Sequence, residues 1–65
     1  MKLNATIKEF IRTNLHQLRK DYRKINQYGS LAHTPTFDSL FDCIEANGGD
    51  MSSLIVACQM IDAIA

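Results

Sequence analysis

Four side chains in this sequence are of types that could ligate a transition metal or attack a substrate: His16, His33, Cys43 and Cys58. Structural zinc sites bring their ligands in close pairs, because a short turn can hold two donors on one ion. Here the successive gaps are 17, 10 and 15 positions, with no CxxC or HxxxH pair. The expectation is no metal. A Cys43–His33 nucleophile pair would need a positioned base and a third group to orient it. Nothing in the spacing supplies one, and Gly48-Gly49 reads as a helix terminus rather than a phosphate-cradling loop. A helical chain of 65 residues also has little concave volume for a substrate. The reading is therefore not an enzyme, with no cofactor. Cys43 and Cys58 are expected as free thiols that behave as small hydrophobes. A tight turn between their helices would set Cys43 opposite a residue nearer Leu54 than Cys58.

Charge is the stronger signal. Net charge is zero, yet every Lys and Arg falls between Lys2 and Lys24, where only Glu9 and Asp21 oppose them. That part is +5, and the rest, carrying Asp38, Asp42, Glu45, Asp50 and Asp62 without a single Lys or Arg, is −5. Such asymmetry means that the halves attract each other or that each faces a different partner.

The elements that carry these residues are helical by period. Ile7, Ile11, Leu15, Leu18, Tyr22 and Ile25 step by 4, 4, 3, 4 and 3, one stripe on a helix from about Leu3 or Asn4 to about Gln27. Gly29 stops it. Thr34-Pro35 reads as an N-cap followed by Pro at the first helical position. A second helix from Pro35 to about Ala46 then puts Phe37, Leu40, Phe41 and Ile44 on one face, and Asp38, Asp42 and Glu45 opposite. Asn47-Gly48-Gly49 ends it, and Asp50 caps a third helix from Met51 to about Ile64. That helix carries two apolar ridges. Met51, Leu54, Ile55, Cys58 and Ile61 form the one expected to face the core. Val56, Met60 and Ile64 form the other. A helix apolar nearly all round must be buried nearly all round, and two other helices do not suffice.

The fold expected is all-α, one domain over residues 1–65: a long amphipathic N-terminal helix followed by a two-helix hairpin, a small bundle completed by dimerisation. Chains below about 70–80 residues commonly need such help. Val56, Met60 and Ile64 are then the protein interface, and Met60→Asp should break the dimer. The basic face of the first helix, Lys8, Arg12, Arg19 and Arg23, could hold phosphates; the ordinary alternative is a solvated face, or pairing with the acidic face Asp38, Asp42 and Glu45. A helix-turn-helix reading fails, since the would-be recognition helix has no Lys, Arg or Asn to reach base edges.

No secretory signal or membrane span is legible, and two cysteines are too few for a disulfide scaffold, so a cytoplasmic setting is expected. By elimination the function is that of a non-enzymatic protein-binding regulator, inhibitor or adaptor acting by surface occupancy. The alternatives are a nucleic-acid-binding accessory protein using the basic face, and a structural assembly subunit.

Overall fold

The computed structural model describes residues 3–29 and 32–63, and those residues are all-helical. Four helices follow in order: α1 (Ala5–Thr13), α2 (Leu15–Tyr28), α3 (Pro35–Ala46) and α4 (Met51–Ala63). The N-terminal apolar stripe, expected as one helix, is thus two. A straight helix over that span would be about 36 Å long at ~1.5 Å per residue, whereas the molecule measures 29 Å along its longest axis. The break falls at Asn14. Its backbone N–H and its side-chain Nδ2 both donate to the Phe10 carbonyl, at 3.0 and 2.9 Å. A short amide that competes locally for a helical acceptor is a recognised helix interrupter. The bend lets α1 pack on α3 while α2 packs on both α3 and α4.

Asn4 caps α1, its Oδ1 accepting from the Ile7 N–H at 2.9 Å. Its Nδ2 donates to Asn47 Oδ1 at 2.9 Å, tying the start of α1 to the end of α3.

The turn between α3 and α4 closes α3 with two bonds. The Gly49 N–H donates to the Ile44 carbonyl at 2.9 Å and the Gly48 N–H to the Glu45 carbonyl at 3.1 Å. This is the Schellman arrangement, which needs a left-handed residue, and Gly48 has φ +79°. Asp50 starts α4 as expected, accepting at Oδ1 from the Ser52 and Ser53 N–H groups at 3.0 and 3.4 Å. Ser53 Oγ accepts in return from the Asp50 N–H at 3.3 Å, a reciprocal capping box.

The core comprises Leu3, Ile7, Ile11, Leu18, Phe37, Leu40, Ile44, Ala57 and Ile61. Leu15, Tyr22 and Ile25 of the stripe pack partly buried against it, as does Cys43, while Phe41 is half-buried. Of the α4 ridge expected to face the core, Ile61 is buried and Leu54 and Cys58 pack partly buried against the core, but Met51 and Ile55 do not. Ser53, Ala57 and Ile61 are buried, Val56 and Met60 are partly buried against the core, and Met51 and Ile55 are 60% and 57% exposed. Ile55 therefore does not pack into the core. The cause is the closeness of the turn. A Cβ built on Gly49 would lie 2.6 Å from Ile44 Cγ2 and 2.8 Å from Ser53 Oγ. Where α4 begins this close to α3, small side chains must face inward and large ones turn out. Ile64 lies outside the described residues.

Candidate docking groove and charged faces

One polar residue organises the α2–α3 junction. Asp21 lies within the apolar stripe of α2 and is fully buried. Its Oδ2 accepts from the backbone N–H of Thr36 at 3.0 Å and of Phe37 at 3.3 Å, and its Oδ1 from Gln17 Nε2 at 3.2 Å. Pro35 has no N–H, and the Asp38 N–H already donates to the Thr34 carbonyl at 3.1 Å. Asp21 thus takes the first-turn donors of α3 that the helix itself leaves open. Thr34 occupies the cap position, as the sequence suggests, but its side chain makes no capping bond. The cap is a carboxylate from another helix, which also places negative charge at a helix N-terminus. Among the described residues, no buried side-chain nitrogen or oxygen lacks a hydrogen-bond partner.

Beside this junction the ends of α2, α3 and α4 leave an open concavity of about 220 Å³. Ile25, Phe37, Phe41, Met51 and Leu54 line it with Thr34 and Asp38. Tyr28, one helical turn beyond Ile25, is 65% exposed. Small-molecule sites usually offer ~300–1,000 Å³ and enclose their ligand, so this hollow suits one or two side chains of a docking segment. Asp42 and Glu45 are exposed on the same helix as Asp38. On α4, Met51, Ile55 and Asp62 are exposed, with Cys58 half-buried between Ile55 and Asp62.

The basic residues divide. Lys8, Arg12 and Arg23 are exposed, as is His16. Arg19 is half-buried and donates from its guanidinium to the Ile61 carbonyl at 3.3 Å. It joins α2 to the last turn of α4, where unpaired carbonyls favour a cation, so it is not a freely solvated member of the basic face. Asp21, the sole acid of α2, is withdrawn from solvent. The outer side of that helix therefore shows Lys20, Arg23 and Lys24 with no carboxylate between them.

The possible ligands and nucleophiles are dispersed. Among the described residues, no three of His, Cys, Asp or Glu come together in a way that could hold a metal ion. His16 and His33 are exposed, and Cys43 and Cys58 are half-buried free thiols. Burial, with the Asp62 carboxylate nearby, pushes the Cys58 thiol above its ordinary value, which disfavours the reactive thiolate. Asp62 also raises the Tyr22 phenol, with smaller contributions from burial and Cys58. The Tyr22 ring packs tilted against Phe37, with centroids 5.9 Å apart.

Sequence reasoning missed the capping role of Asp21 and the groove, and it placed Arg19 on the basic face without its tie to α4. For Asp21 a signal exists: an acid three residues after Leu18 and four before Ile25 sits inside the apolar stripe rather than opposite it. For the groove the signal is weaker, because it depends on the rotation of α4. No known protein family, curated protein or solved structure matches the chain, so function is argued from these surfaces alone.

Proposed function

We propose that the chain is a non-enzymatic, cytoplasmic protein-binding regulator, inhibitor or adaptor that acts by occupying a surface. The observation that carries this reading is the open apolar concavity between α2, α3 and α4, continued outward by exposed Met51 and Ile55. Contiguous exposed apolar surface on a small chain commonly marks a contact site. No helix among the described residues is long and apolar enough to cross a membrane. A homodimer belongs to the same proposal, on the opposite flank of α4, through what Val56 and Met60 leave exposed. The test is capture of partners from native cytosol by tagged chain, with and without nuclease, eluted by a salt gradient. A discrete protein retained through nuclease and lost with Met51→Glu, a substitution at an exposed groove-lining position, supports the reading. Capture unchanged by Met51→Glu refutes the groove as its basis.

A nucleic-acid-binding accessory protein is the second reading. It is favoured by the burial of Asp21, which leaves no exposed carboxylate on α2 among Lys20, Arg23 and Lys24, with Lys8 and Arg12 exposed on α1. It would show a log–log salt slope of about −0.9 per phosphate neutralised on duplex DNA. Arg12→Glu with Arg23→Glu would abolish binding, whereas Arg19→Glu would instead loosen α4.

A further inference from the structure

We infer that the occupant of the groove is a basic amphipathic helix from a different protein, seating one or two large apolar side chains between Phe41, Met51 and Leu54 and presenting Lys or Arg to α3. The inference rests on the docking reading and adds the chemistry of the partner. Three observations select it. The hollow is open and apolar, and at about 220 Å³ it is sized for side chains. Most of its lining comes from α3 and α4, which carry no Lys or Arg at all; α2 contributes Ile25 alone. Asp38 lines the hollow, and Asp42 and Glu45 are exposed along the same helix. An apolar anchor row flanked by one sign of charge is the complement of an amphipathic helix bearing the other sign. Complementary charge fixes orientation and rejects wrong partners. An acidic or neutral helix would leave those carboxylates facing like charge or nothing.

The probe is a displayed library of random peptides about 16 residues long, roughly four helical turns. It is panned against the whole chain and counter-selected against Met51→Glu, which alters the groove lining. Expected are clones of net positive charge with apolar residues spaced i, i+3 or i, i+4. Their binding should weaken about tenfold between ~50 and ~300 mM salt. It should weaken at least about tenfold for the triple variant Asp38→Asn, Asp42→Asn, Glu45→Gln, with helicity by circular dichroism unchanged. Two results overturn the inference while leaving docking intact: an acidic or neutral consensus, or full binding by the triple variant. A concentration-dependent dimer that Met51→Glu abolishes and selected peptides compete away overturns it in favour of a second copy. Failure to enrich any clone over the counter-selected variant overturns both the inference and the docking reading.

Discussion

Replacing Asp21 with Ala isolates the one polar group on which the α2–α3 junction depends. The carboxylate receives two backbone N–H groups and the Gln17 amide while fully buried. Truncation removes a helix cap, which costs about 1–2 kcal/mol, and leaves buried donors unmatched, at about 1–3 kcal/mol. Part of this is offset, because a buried carboxylate no longer has to be desolvated. A net loss of about 2–3 kcal/mol is expected. A chain of this length holds roughly 3–10 kcal/mol in total, and each kcal/mol moves Tm by about 4–8 °C at this size. Thermal and urea unfolding followed by circular dichroism should therefore show a fall of about 10–20 °C. Asp21→Asn separates geometry from charge. Both backbone bonds go to Oδ2, so an amide oxygen placed there keeps them. The new Nδ2 then meets Gln17, whose amide flips to accept. Only the attraction of the charge to the helix N-terminus is lost, about 0.3–1 kcal/mol. Thr34→Ala, at the position the sequence suggests for the cap, should cost less than about 1 kcal/mol because its hydroxyl caps nothing. An Asp21→Ala variant within about 0.5 kcal/mol of the parent, or Thr34→Ala more damaging than Asp21→Ala, would refute the reasoning.

Gly49→Ala should destabilise by about 1–3 kcal/mol, since its Cβ collides with Ile44 and Ser53; Gly48→Ala, strained in φ but in open space, should lose about 1 kcal/mol. Chemical denaturation distinguishes the two, and equal losses would count against the close approach. Stability should decline in alkali. The Cys58 and Tyr22 acids both have folded-state pKa values raised above their unfolded values of 9.0 and 10.0. The native state therefore holds their protons more tightly, and the stabilisation is complete below pH 9.0 and is lost as pH rises through the folded values. In Asp62→Asn a phenolate titration should move Tyr22 back toward its ordinary value, and an unmoved titration would remove Asp62 as the cause. Met60→Asp should lower stability by about 2 kcal/mol or more at any concentration, whereas Ile55→Glu should stay within about 0.5 kcal/mol. The reverse order would show that α4 is rotated from the orientation described.

Much of the core is legible in the sequence because period and burial agree wherever one face of a helix is apolar. Ile7, Ile11, Leu18, Phe37, Leu40 and Ile44 fall on their expected faces and are buried. The Asp50 cap and the Asn47-Gly48-Gly49 turn are local signals, and local chemistry decides them. Three features were not legible, each for a physical reason. The break at Asn14 rests on its side-chain amide competing for the Phe10 carbonyl, a local effect that the unbroken apolar period masks. The cap on α3 comes from Asp21, fifteen residues before Thr36, so no window along α3 contains it. The rotation of α4 follows from a distance of closest approach at Gly49. Hydropathy ranks Met51 and Ile55 above Ser53 and Ala57 for burial, but size decided the order.

That rotation also explains why groove and core are coupled. If α4 turned Met51 and Ile55 inward, Ser53 and Ala57 would face solvent and the concavity beside Phe41 would fill with the chain's own side chains. The small residues that let α4 approach α3 are the same residues whose burial puts the large ones outside. Exposure of Met51 and Ile55 is therefore a result of tight packing, not a sign of a loose bundle. The charges are sorted in the same way. Burying Asp21 under α3 removes the one acid from α2, and engaging Arg19 at the end of α4 draws one cation toward the interior. The remaining exposed cations lie on α1 and α2, whereas α3 and α4 show carboxylates alone. A partner that meets the groove thus meets Asp38 in its lining and acids alone on α3 and α4, while the cations of α2 flank it only beside Ile25.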